Sequence, residues 1–179
     1  MQIPTKDIFT PFDPGLYDTY NYADHPNVVT SMEFERILSA SGPFEGHLVR
    51  PSEHKEPEKI AWLQCVGSRD INRCDHAYCS AVCCLASMKQ ATYVRDCYPD
   101  AEIHIFYIDI RAFGKGYEEF YERTQSEYSV KFVRGRVAEL HEMDSGKISV
   151  RVEDTMLGDI LSLKFDLVVL SVGLEANRS

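Results

Sequence analysis

An α/β fold with a central parallel sheet and a β-meander is predicted by three observations. Residues 60–63 and 103–108 are apolar runs of strand length, and residues 80–97 between them are dominated by strong helix formers. Strand, helix and strand within about fifty residues form a βαβ unit, which requires a parallel pair and a right-handed crossover. Residues 130–137, 147–152 and 160–165 alternate apolar and polar, while residues 166–172 read Asp-Leu-Val-Val-Leu-Ser-Val, a strand buried on both faces.

Taken in order, residues 1–28 are rich in Pro, Asp, Tyr and Asn and read as extended, turn-punctuated chain. Tyr17, Tyr20 and Tyr22 would pack there at a domain interface. Thr30-Ser-Met-Glu33 is a capping box that starts a helix over 31–39, which stops at Ser41-Gly42-Pro43. A polar loop over 44–58 leads to the first strand, with Cys65 at its C-terminal end. A helix from about Ser80 to just before Pro99 puts Cys79 and Cys83 on one face, with Cys84 about 100° further round. After the second strand come a glycine-bearing loop over 111–116 and a short helix over 117–126, with Tyr117, Phe120 and Tyr121 on one side. Leu157-Gly158-Asp159 is the hairpin turn of the meander. The expected organisation is a connector and short helix over 1–44 linking to a neighbouring domain, a main domain over 45–172, and a return segment over 173–179.

The net charge of −9, with no basic stripe, excludes nucleic acid as a partner. No apolar run is long enough to span a membrane and no signal peptide opens the sequence, so any membrane association would be peripheral and through partners. All six cysteines fall between residues 65 and 97. Clustered thiols in a chain without secretory features point to metal or redox chemistry and a cytoplasmic setting.

The order of elements is that of a Rossmann-like domain, the NAD(P)-binding type found in two-dinucleotide-binding flavoproteins. Such a domain carries G-x-G-x-x-G after its first strand, so that backbone can approach a pyrophosphate. Here that corner reads Gln64-Cys65-Val66-Gly67-Ser68-Arg69-Asp70, and only Gly67 survives. A loop of about ten residues follows where such units use about two to six. The frame is kept and the ligand replaced.

Cys65-Val-Gly-Ser-Arg-Asp70, Tyr78-Cys79-Ser80-x-x-Cys83-Cys84, Lys89-Gln90-Ala91 and Phe106-Tyr-Ile-Asp-Ile-Arg111 closely resemble the A-type subunit of heterodisulfide reductase and the related subunits of quinone-modifying oxidoreductases. The resemblance runs over residues 22–177. It implies a thioredoxin-reductase-like flavoprotein core whose cysteine corner binds a [4Fe-4S] cluster close to FAD. It also implies that Lys89, in the Cys-Cys-x4-Lys-Gln motif, approaches the flavin ring, where a cation stabilises the reduced anionic form. The family's FAD-binding half, with its own G-x-G-x-x-G, has no counterpart here. The FAD would therefore be bound mostly by a domain or subunit outside this chain, and other electron-transfer subunits are the further partners.

Four thiolates round a cluster must converge from separate backbone directions, with a helix N-terminus to stabilise their charge. Cys65 from the strand end, with Cys79, Cys83 and Cys84 from the helix start, meets that need. Cys74 in the loop is held as an alternative fourth ligand, and Cys97, about 20 Å along the helix, as an ordinary buried thiol. Structural zinc is the plainer alternative, although paired C-x2-4-C knuckles are missing. For Lys89 the plainer alternative is a solvated helix lysine. Asp109 and Arg111 sit where nicotinamide enzymes hold the ribose, and Arg111 reads as a structural or subunit-contact residue. His76, His104 and His141 are assigned surface or core roles.

Two functions of different class result. One is an electron-transfer module relaying electrons between FAD and partner subunits through a [4Fe-4S] cluster, part of an oxidoreductase and not catalytic by itself. The other is the NAD(P)H-binding domain of a pyridine nucleotide–disulfide oxidoreductase, with a zinc-stapled interaction module as a blander third.

Overall fold

The computed structural model describes residues 9–16 and 19–176. The expectations for residues 1–8, Tyr17 and 177–179 lie outside the described residues. In chain order the elements are β1 (Phe9–Pro11), a 3-10 turn (Thr19–Asn21), β2 (Val28–Thr30), α1 (Ser31–Leu38), β3 (Lys59–Val66), α2 (Ile71–Cys74), α3 (Cys83–Cys97) and β4 (Glu102–Tyr107). Then follow α4 (Tyr117–Ser126), β5 (Lys131–Arg134), β6 (Val137–Glu142), β7 (Ile148–Asp154), β8 (Asp159–Phe165), β9 (Leu167–Val172) and β10 (Leu174–Ala176).

Five strands form one parallel sheet in the order β2-β9-β3-β4-β5. β3, β4 and β9 sit inside it, which is why they are apolar on nearly every residue. One core joins Ile60, Trp62, Ile103, Ile105, Leu167 and Val169 to the helices through Phe34, Met88, Ala91 and Val94. On the opposite face Ala61, Leu63, Phe106 and Val168 pack against the antiparallel sheet β6-β7-β8 through Leu140, Val150 and Phe165. The result is three layers: helices, parallel sheet, meander. Trp62 anchors the helical face, edge-on to Phe34 at 5.2 Å and donating Nε1–H to Gln90 Oε1 at 2.9 Å. The Rossmann-like expectation holds.

Several expectations shift. The strand over 130–137 is two strands. At Gly135 an added Cβ would lie 2.0 Å from the Glu153 carbonyl oxygen, and its N–H is tied to the Tyr107 carbonyl at 2.8 Å. The chain turns there and leaves the parallel sheet for the meander. β2 is a strand that its own three residues do not announce. It and α1, both within 1–44, join the parallel sheet and its helical face. β1 pairs antiparallel with β10, and Phe12 beyond it is 2% exposed in the main core. Tyr20 packs on the meander, with its hydroxyl donating to the Val137 carbonyl at 2.9 Å. His76 and His104 are buried and His141 is exposed.

Candidate metal centre

The site lies at the C-terminal end of β3, where the sheet meets the start of α3. The β3–β9 register shifts between Leu63 and Val66, and Cys65 inside that irregularity has φ 62°. A left-handed, non-glycine residue in a bulge re-aims its side chain. Ser68 N–H closes a tight turn on the Cys65 carbonyl at 3.3 Å, with Gly67 at φ 70°. The loop that follows is ordered by its own hydrogen bonds. Arg69 N–H reaches the Tyr78 carbonyl at 3.0 Å, and Asp70 and His76 exchange backbone bonds at 2.8 and 3.1 Å round α2. This small loop carries Cys79 back toward Cys65.

The helix begins at Cys83, not at Ser80, so Cys79 is not on the helical face assigned to it. The reason is tertiary. Ser80 Oγ accepts the Leu174 N–H at 2.9 Å and meets Ser68 Oγ at 2.9 Å, and Ala81 then takes φ 59°. These contacts hold residues 79–81 out of helix. Gly173 belongs to the same junction: an added Cβ would lie 2.2 Å from Ser68 Oγ. The cysteines therefore arrive from three places: the strand end, the loop, and the first turn of α3.

Cys65, Cys79, Cys83 and Cys84 line one pocket, together with Ser68, Ser80, Asp109 and Arg111. Its volume, including space open to solvent, is about 290 Å³, and the enclosed part is far too small for a dinucleotide. The space between the sulfurs holds barely one water. A cluster would have to bond the thiols themselves and spread the 79–84 turn. Among the described residues no three His, Cys, Asp or Glu side chains gather closely enough round a single ion; the four thiols ring a pocket instead.

Burial pushes the Cys65 thiol up to about 11 and the Cys83 thiol to about 12, with the neighbouring sulfurs adding to the rise. Burial also raises Cys84. Without a bound group these thiols are neutral, and a metal would displace their protons. Donors are already in place for the ionised form. Ala81 N–H reaches Cys79 Sγ at 3.4 Å. The positive charge of the Arg69 guanidinium also favours ionisation of Cys65 and Cys84. No side chain caps α3 among the described residues, so its first-turn N–H groups and positive dipole end are left for the sulfurs. Gln64, beside Cys65, is 6% exposed and neither carboxamide atom has a partner among the described residues. Thiol donors and the free N–H groups of the first turn of α3 fit a sulfur-ligated cluster.

The other residues singled out in the sequence lie elsewhere. Cys74 is buried, with its thiol donating to the Asp70 carbonyl at 3.2 Å, and does not line the pocket. Cys97 is exposed, not buried, because the last turn of α3 carries it on the outer face beside Tyr93. Lys89 is exposed in a groove between α1 and α3 with Glu35, Leu38, Ser39 and Tyr93, apart from the thiols. Sequence reasoning does not bring Arg69, Asp109 and Arg111 to the thiol site. Asp109 Oδ1 accepts from Arg69 Nη1 at 2.7 Å and from Arg111 Nε at 3.1 Å. The available signal is the charged pair just past β4. No described helix is long and apolar enough to cross a membrane.

Fold and corner together define a class: a Rossmann-like α/β domain whose corner after β3 carries thiols where a G-x-G-x-x-G would stand. L-lysine 6-monooxygenase from Pseudomonas syringae shares the fold, at a TM-score of 0.50 and 11% identity over 86% of this chain and 41% of that one. No protein-family model matches. The second A-type iron-sulfur subunit of the CoB–CoM heterodisulfide reductase of Methanopyrus kandleri is 53% identical over 168 residues, 93% of this chain and 26% of that protein. The A-type subunit of the H2/formate:CoB–CoM heterodisulfide, ferredoxin reductase of Methanococcus maripaludis is 48% identical over 93% of this chain and 25% of its own length. Over nearly its whole length the chain is similar to heterodisulfide reductase A-type subunits, and it spans about a quarter of the length of the curated relatives it matches.

Proposed function

We propose that this chain is the electron-transfer module of a heterodisulfide-reductase-A-like iron–sulfur flavoprotein, with Cys65, Cys79, Cys83 and Cys84 as ligands of a [4Fe-4S] cluster. The observation that carries the reading is the convergence of four thiols from three chain segments on one pocket at the N-terminus of α3. When bound, such a cluster supplies one-electron transfer. The chain's own residues hold it: the left-handed Cys65 aims its thiol across the corner, and the serine pair Ser68–Ser80 locks the loop against the end of β9. The uncapped first turn of α3 stabilises the thiolates, and Cys65 and Cys84 are buried. The relatives are named as A-type subunits of CoB–CoM heterodisulfide reductases, one of them as an iron-sulfur subunit, which supports an oxidoreductase complex with further electron-transfer subunits.

FAD belongs in this reading to a domain or subunit outside the chain, joined through 1–44 and 173–179, with Lys89 facing the flavin across that interface. Clustered free thiols favour a cytoplasmic setting for the module. The NAD(P)H reading is disfavoured by the corner. An added Cβ at Gly67, the one glycine left there, would lie 2.0 Å from the Phe12 ring, so the backbone a pyrophosphate would approach is already covered.

The test is anaerobic reconstitution of the 179-residue chain with iron and sulfide, followed by metal, sulfide and flavin analysis. The expected result is four iron and four sulfide per chain with no stoichiometric flavin. A chain that takes up one zinc and no iron would overturn the cluster, and tight stoichiometric FAD would overturn the placement of the flavin.

A further inference from the structure

Arg69 follows the tight turn that carries Cys65, and its backbone has φ 55°. Its N–H is tied to the Tyr78 carbonyl, one residue before Cys79. Its guanidinium donates to Asp109 Oδ1 at 2.7 Å, and Asp109 lines the same pocket as Cys65, whose thiol feels the Arg69 charge. Asp109 Oδ1 also accepts from Arg111 Nε at 3.1 Å, and Asp109 and Arg111 line the thiol pocket. Arg136 Nη1 donates to the Arg69 carbonyl at 3.1 Å and Nη2 to Asp70 at 2.6 Å, which fixes the same segment from outside. Arg69 is thus held by backbone and side chain on opposite sides of the ligand loop. Its side chain is 23% exposed, against 48% for Arg111.

A surface ion pair of this kind contributes little to stability. Here one aspartate is shared by two arginines, so the triplet carries one net positive charge beside four sulfurs. The guanidinium is charged at every accessible pH and cannot be neutralised by burial. We infer that Arg69, positioned by Asp109 and supported by Arg111, sets the reduction potential of the proposed cluster by supplying a fixed positive charge to the Cys65 ligand. Adding an electron makes the site more negative, so a cation fixed beside the thiol pocket favours the reduced state. Charge and hydrogen bonds to the sulfurs are the levers by which a protein tunes such centres. Arg69 is a positioning residue that acts through Cys65, and the inference rests on the ligand assignment above.

The experiment is a spectroelectrochemical titration of the reconstituted full chain. Arg69→Gln should keep four iron per chain and make reduction about ten-fold less favourable, a shift of about 59 mV to lower potential for a one-electron couple. Arg69→Lys should recover most of the shift. Asp109→Asn, which keeps both arginines and removes the opposing charge, should move the potential upward, and it provides the reading if Arg69→Gln does not fold. Unchanged potential in Arg69→Gln, or a downward shift in Asp109→Asn, would overturn the inference, because loosened packing alone does not produce opposite signs. Failure of the unsubstituted chain to load iron would instead refute the cluster reading.

Discussion

Gly67→Ala is the substitution that most sharply probes how the N-terminal segment closes the corner. Gly67 has φ 70°, and a Cβ there would lie 2.0, 2.3 and 2.4 Å from three atoms of the Phe12 ring. Two costs follow. Holding alanine in the left-handed region costs about 1–2 kcal/mol. Phe12 is 2% exposed and packed in the main core, edge-on to His76 at 6.1 Å, so its ring cannot simply swing away; overpacking of this kind costs about 1–3 kcal/mol. The sum is about 2–5 kcal/mol, a large share of the roughly 5–15 kcal/mol that holds a domain folded. Urea unfolding at constant m-value measures it. A double-mutant cycle separates the parts. Phe12→Ala by itself costs about 3–5 kcal/mol, but in its presence Gly67→Ala should add only the backbone cost of about 1–2 kcal/mol. A loss below about 0.5 kcal/mol for Gly67→Ala, the ordinary size of a surface change, would refute the argument. So would strict additivity in the cycle.

Two other consequences are independent of the corner's packing. His104, buried with its Nδ1 unpartnered among the described residues, is held down to about 4 by burial and then by the charge of Lys59, against the opposing pull of Glu102. The unfolded chain therefore takes up a proton below about 6.5 that the folded chain refuses until about 4. Stability falls as pH drops through that window, by on the order of 2–3 kcal/mol. Denaturation at about pH 7.5 and about pH 4.5, either side of most of that window, should show the loss, and His104→Gln should remove much of it; an equal slope in the variant would contradict the assignment. With Phe12 over Gly67 and a thiol loop in place of the glycine corner, calorimetric titration with NADH or NADPH should give no heat of binding, and micromolar affinity for either would revive the dehydrogenase reading.

The elements whose signals are local are legible in the sequence. The capping box of α1 forms as read: Glu33 N–H reaches Thr30 Oγ1 at 3.2 Å and Thr30 N–H reaches Glu33 Oε2 at 2.7 Å. α4 keeps its bounds, and the apolar runs of β3, β4 and β9 become inner parallel strands. What is not legible is set by distant partners. Ala81 is a good helix former, yet α3 starts after it because Ser80 is held by Leu174, 94 positions away. β2 is three residues long and is a strand only by pairing with β9. The cysteines that line the pocket stand out by their clustering, but the helical spacing read for Cys79 and Cys83 is not what brings them together. The pairing of Arg69 with Asp109 cannot be picked out, since the two meet across 40 positions of sequence. Cys97 departs from the burial that its residue type suggests, and only the helix's docking shows which face looks outward.

The central claim is that four particular thiols hold the cluster, and iron content of anaerobically reconstituted cysteine variants tests it most directly. Cys65→Ala, Cys79→Ala and Cys83→Ala should each lose stable four-iron loading, as should Cys84→Ala, because each removes one of the sulfurs round the pocket. Cys74→Ala and Cys97→Ala should load as the unsubstituted chain does, since neither thiol lines it. Full loading in Cys83→Ala together with lost iron in Cys74→Ala or Cys97→Ala would contradict the account.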